Sequence, residues 1–174
     1  MNESQAWLAQ AMSDLACAER VRESGDPSMN CHVVAKCQQA VEKSVKGLVA
    51  GLRQASFLKV QIGPQHSVLR FMSAILRKPR SDGEHGLHGR LIALFNEHTR
   101  GEIQAIEALI PRFPGGGASP VRNTEYPFRS DGGAWSYPAY TRAFSPDEVA
   151  RFRDLARRVV SSCARLESAV RRAP

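Results

Sequence analysis

The sequence predicts an all-α fold, an up-and-down bundle of four to five helices with one long aromatic-rich loop. Three observations predict it. Apolar residues recur at three- and four-residue steps over long stretches, the period of a helix with one buried face. The one alternating run, Phe57 to Ile62, is too short and too solitary to build a sheet. Proline and glycine clusters at Gly25-Asp26-Pro27, Gly63-Pro64, Lys78-Pro79 and Pro111 to Pro114 then cut the chain at helix-length intervals.

The elements follow in order. Helix one spans residues 4 to 24, with Trp7, Leu8, Ala11, Leu15, Ala18 and Val21 near one face. After Pro27 and Ser28, helix two runs to about Gln54, and its Val34, Val41, Val45, Leu48 and Leu52 cluster on one side, as a central helix requires. At about 100° per residue, Lys36, Gln39, Glu42, Lys43, Lys46 and Arg53 form a polar, mostly basic flank. Residues 57 to 62 read as an extended linker or at most a short strand. Helix three covers Gln65 to about Arg77, with Val68, Leu69, Met72 and Ile75 inward. After a polar loop from Arg80 to Gly86, helix four runs from about Leu87 to Ile110 on Leu91, Leu94, Phe95, Ile103, Ile106 and Leu109. Ser145-Pro146-Asp147-Glu148 opens helix five with a serine cap, proline in the first turn and glutamate three residues after the cap. Its seam is Val149, Phe152, Ala156, Val159, Cys163, Leu166 and Val170.

At 174 residues the chain suits one domain over 1–174, large enough to bury roughly 70% of its unfolded surface. The loop, 113–144, holds all three tyrosines and a Pro-Gly-Gly-Gly tip, and a stretch this long without periodicity is a candidate for function. No apolar run approaches the ~20 residues of a membrane span, and the first residues lack a basic segment followed by an apolar block. A cytoplasmic protein without membrane contact is expected. The four cysteines have no Cys-x-x-Cys spacing and read as buried reduced thiols. Net charge is +7, most of the excess arginine, which suits an anionic partner.

On helix two, Ala35-Lys36-Cys37-Gln38-Gln39-Ala40-Val41-Glu42-Lys43-Ser44-Val45-Lys46 resembles the Gln-Ala-x-Glu-Lys-x-x-Lys signature of HEPN domains, a family named for its occurrence in higher eukaryotes and prokaryotes. Asp14-Leu15-x-x-Ala18, His66-Ser67-Val68-Leu69 and Glu125-Tyr126-Pro127 follow in the family's order, with Ser67 for its aspartate and Glu125 for its arginine. The resemblance spans about residues 5 to 170. It implies a helical bundle, usually a homodimer, in toxin–antitoxin and defence systems beside a nucleotidyltransferase, in RNA-cleaving enzymes, or as a nucleotide-binding module.

Two functions are open on this reading. The first is a noncatalytic protein that binds a nucleotide or other phosphate ligand and acts with a partner such as a nucleotidyltransferase. Its candidate residues are Gln39, Lys43 and Lys46 of helix two, His66 of helix three, and Arg122, Tyr126 and Arg129 of the loop, where guanidinium groups interleave with rings that can stack bases. On helix two the bland alternative is a flank paired within itself, with Glu42 four residues before Lys46. The second function is a metal-independent endoribonuclease. The family's ribonuclease branch carries Arg-x4-6-His, which Arg80 and His85 match in spacing, with histidine as acid or base near neutral pH. Arg90 and His98 do not match it. RNA would be the substrate. No metal or other cofactor is expected, since His85, His88 and His98 lack the companions of a metal motif. The arginines of helix five at seven-residue steps, Arg151, Arg158, Arg165 and Arg172, read as a track for RNA, or the helix pairs locally, with Asp147 four residues before Arg151, Asp154 before Arg158 and Glu167 before Arg171.

Overall fold

The computed structural model describes residues 1–62, 68–77, 85–109, 128–129, 135–136 and 144–172, with backbone alone at 85, 128–129 and 135–136. The fold is all-α. Among the described residues there are six α-helices: α1 (Glu3–Glu23), α2 (Asn30–Gln54), α3 (Val68–Arg77), α4 (His85–Leu94), α5 (Glu97–Glu107) and α6 (Pro146–Arg172). A single 3-10 turn, Pro27–Met29, joins α1 to α2. Two-residue strands β1 (Phe128–Arg129) and β2 (Trp135–Ser136) pair antiparallel within the long segment before α6. The rest of that segment lies outside the described residues.

Local chemistry sets the helix starts. Asn2 and Gln5 cap α1 reciprocally: the Asn2 side chain accepts from the Gln5 amide at 2.9 Å and Gln5 accepts from the Asn2 amide at 3.0 Å. Ser145 and Glu148 do the same for α6, at 3.3 and 3.0 Å, as Ser-x-x-Glu predicts. Gly25, in the left-handed region at φ 70°, turns the chain out of α1. Ser56 takes the same conformation after α2, so the amides of Phe57 and Leu58 both reach the Leu52 carbonyl. Residues 57–62 then run without strand structure, and Phe57 and Leu58 are buried.

One helix is two. The expected helix four breaks at Phe95-Asn96, where Asn96 accepts from the Thr99 amide at 2.9 Å and caps a fresh helix, α5. The chain from Asn96 to Glu102 contains no strongly apolar residue, so a continuous helix would have had no buried face across that turn. His85 is the first residue of α4 instead of part of the preceding loop.

The centre of the molecule is α2, packed chiefly against α1 and α6. It is buried nearly all round, from Cys31 to Leu52, so its predicted apolar side is only the part facing the main core. That core joins Val34, Val41, Val45, Leu48 and Leu52 to Phe71, Met72 and Ile75 of α3, Leu91 and Phe95, Ile103 and Ile106 of α5, and the whole predicted seam of α6. Each such side chain contributes about 1.5–3 kcal/mol by leaving water. Cys31, Cys37 and Cys163 are buried free thiols and Cys17 is half-buried. Burial pushes the Cys37 and Cys163 thiols up to about 12. Among the described residues, no helix is long and apolar enough to cross a membrane.

Candidate functional site

The inner face of α1 carries Ser4, Leu8, Ala11, Asp14 and Ala18, all buried. Small residues on this face let α1 lie close to α2, and Gly47 marks the closest approach: a Cβ there would come within 2.8 Å of Leu8 Cγ. The same face takes the Asp14 carboxylate out of water, its side chain only 5% exposed, so it needs cationic partners. Lys36 and Lys43 supply them from α2. Seven residues apart, they stand two turns along one flank.

The Lys43 amine donates to Asp14 Oδ2 at 2.5 Å, and Lys36 to Oδ1 at 3.4 Å. Lys36 also donates to Gln39 Oε1 at 2.9 Å, and Gln10 reaches Asp14 Oδ1 at 3.5 Å. The lysine side chains are 35% and 22% exposed. Two amines therefore share one carboxylate, and the surplus positive charge lies on the solvent side of the α1–α2 seam. A phosphate oxygen arriving there would meet two ammonium donors already held by the same carboxylate.

Lys46 stands apart from this pair. Its amine is 2.6 Å from Glu42 Oε1 and 5.0 Å from the centre of the Trp7 ring, and its side chain is 4% exposed. Its ion pair is internal to α2, and its cation–π contact with Trp7 ties α2 to α1, so its charge is already engaged on both sides. Glu107 of α5 in turn feels the Glu42 charge. The Glu107 carboxylate accepts from the Val68 amide and so fastens the start of α3 to α5; burial pushes its pKa up, the Val68 and Leu69 amides pull it down, and Glu42 adds to the rise. On the α6 side of α1, Ser4 donates to Glu167 at 2.6 Å, and Arg157 meets Glu19 at 2.7 Å.

Of the residues singled out in the sequence, Gln39, through Lys36, and Lys43 both join the half-buried Asp14 cluster, while Lys46, one turn on from Glu42, is interior. His66, Arg80, Arg122 and Tyr126 lie outside the described residues. Arg129 is placed in β1 and His85 at the start of α4 by their backbones. Sequence reasoning missed Asp14 as the organiser of the lysines. Its signal was a charge at a position that shares the helix-one stripe with Ala11 and Ala18, three and four residues away. The arginines of α6 also pair differently from the local expectation. Arg158 meets Glu102 of α5 at 2.6 Å, Asp154 stands 3.7 Å from Arg153 and Arg157, and Arg171 keeps its expected Glu167 at 3.6 Å. Among the described residues, no three His, Cys, Asp or Glu side chains converge as metal ligands would.

A comparison with protein families matches the HEPN domain over residues 4–78, the segment that forms α1, α2 and α3 and holds the Asp14 seam. No curated protein and no solved structure matches the chain.

Proposed function

We propose, from the match of residues 4–78 to the HEPN domain family and the geometry of the α1–α2 seam, that the chain binds a nucleotide or another phosphate ligand without itself catalysing a reaction, and acts with a partner protein. The observation that carries the reading is the unequal charge at the α1–α2 seam: Lys36 and Lys43 converge on the single carboxylate of Asp14, at a rim open to solvent. The ligand's phosphate takes the surplus charge, Gln39 supplies a neutral amide beside it, and Lys46 holds the seam from below. His66, Arg122, Tyr126 and Arg129 remain the proposed contacts from outside α2. The family resemblance supports the partner: a nucleotidyltransferase in a toxin–antitoxin or defence system, met by a homodimer of this chain.

The test is a thermal-shift series with ATP, GTP, AMP and inorganic phosphate. A ligand that binds only the folded chain raises its apparent stability, by about 2.7 kcal/mol at a hundredfold excess over Kd. Stabilisation lost in the variant Asp14→Asn with Lys36→Gln and Lys43→Gln, in which all three charges of the seam are neutralised, is the expected result. Stabilisation that survives in that variant would move the site elsewhere.

A further inference from the structure

Where α6 passes α5, its Arg158 meets a carboxylate, Glu102, at 2.6 Å. Two turns further on, where α6 passes α4, Arg165 meets no carboxylate among the described residues. There the two helices enclose a groove of about 420 Å3 lined by Arg90, Ala93 and Leu94 of α4 and Ser162, Arg165 and Leu166 of α6. Both arginines are exposed. Arg165 donates to the Ser162 hydroxyl at 3.2 Å, and among the described residues neither Arg90 nor Arg165 has an acidic partner.

The surroundings keep it so. The described segment of α4, His85 to Leu94, contains no aspartate or glutamate. After Asp154, the one acid on α6 is Glu167, which is buried and taken by Ser4 and Arg171. Two guanidinium groups facing one groove with no counter-charge among the described residues repel each other, and an anion relieves that repulsion. The basic line continues past the groove. Arg172 follows Arg165 by seven residues, about 10 Å along the same face, and its Nε is anchored on the Ser168 carbonyl at 3.1 Å. A ligand with a single phosphate would use the groove and leave Arg172 idle. A strand of regularly spaced phosphates would use both, with Ala93, Leu94 and Leu166 as an apolar floor for a base or sugar.

We propose that the α4–α6 groove binds the phosphodiester backbone of a single-stranded nucleic acid, with Arg90 and Arg165 on one phosphate, Ser162 as a hydroxyl donor, and Arg172 on a phosphate further along. The site is separate from the Asp14 seam and lies outside residues 4–78, the part of the chain matched to the HEPN family. It needs no catalysis.

Fluorescence anisotropy of short labelled oligouridine and oligodeoxythymidine, titrated with the full chain over a range of salt, tests it. The expected result is binding of at least one of the two, weakened about tenfold or more in Arg90→Ala with Arg165→Ala, and a salt slope reduced by about one to two. Because both side chains are exposed, the variant should melt with the wild type, and a melting curve checks this. Which oligomer binds more tightly tells RNA from DNA. Lys36→Gln with Lys43→Gln should leave this binding unchanged, so loss of the phosphate-ligand reading would not remove it. Binding that is indifferent to the arginines, equal displacement by polyglutamate, or binding of inorganic phosphate with none of either oligomer would each overturn the proposal.

Discussion

At the scale of single residues, buried charge decides most outcomes. Glu42 and Lys46 are both shielded from water, so Lys46→Met removes the ammonium of a buried ion pair and should destabilise the fold by up to about 3–5 kcal/mol in a urea titration, while Glu42→Gln with Lys46→Met should recover part of that loss. Glu107 gives a pH signature. Burial raises its pKa in the fold above the ordinary carboxylate value, so its contribution is full below the unfolded pKa and is lost as pH rises through the folded one. Stability should therefore fall as pH rises from about 4.5 through that raised value, and Glu107→Gln, whose amide oxygen can still accept from Val68, should flatten this component of the pH profile. A profile identical in the variant would remove Glu107 as the cause. The pairing of Glu42 with Lys46 was legible, because four-residue spacing on one helix is a local fact. The capture of Lys36 and Lys43 by Asp14 was not, since a helical wheel orders the flank of α2 without saying which residue of α1 lies across from it.

At the scale of elements, the glycines separate close packing from open surface. Gly47→Ala would drive a methyl against Leu8 and within 3.1 Å of the Ser4 carbonyl, so the crowding should outweigh the better helix propensity of alanine and lower stability by about 1–3 kcal/mol. Gly101→Ala meets nothing within 4 Å in the middle of α5 and should raise stability by up to about 1 kcal/mol. Opposite shifts in melting temperature are the expected pair; shifts of one sign would contradict the packing described for α1 and α2. The helices α1, α2 and α6 were readable because each keeps one apolar face for five turns or more and carries its own cap or breaker. The division between α4 and α5 was not read, although the polar run from Asn96 to Glu102 contained it, because Phe95 and Ile103 can be placed on one helical stripe if the gap between them is ignored.

At the scale of the whole molecule, a nearly fully buried α2 makes the bundle a single cooperative object around one helix. Cys37 and Cys163 sit on opposite partners of that contact, in α2 and α6, with thiols held near 12. Their alkylation at pH 8 should follow global unfolding, while half-buried Cys17 reacts earlier; rapid reaction of all four in the native protein would show that the core opens locally. The basic excess of the chain is likewise organised rather than diffuse. Among the described residues Arg153, Arg157, Arg158 and Arg171 of α6 meet acids on α1, α5 or α6 itself, while two lysines share one carboxylate at the Asp14 seam and two arginines line the α4–α6 groove. The central claim concerns the first of these, and Asp14→Asn tests it most directly, because it removes the competing carboxylate and leaves both lysines in place. Isothermal titration with ATP and with inorganic phosphate should show several-fold tighter binding in Asp14→Asn and weaker binding in Lys36→Gln with Lys43→Gln. Unchanged affinity in both variants would contradict a phosphate site at the α1–α2 seam.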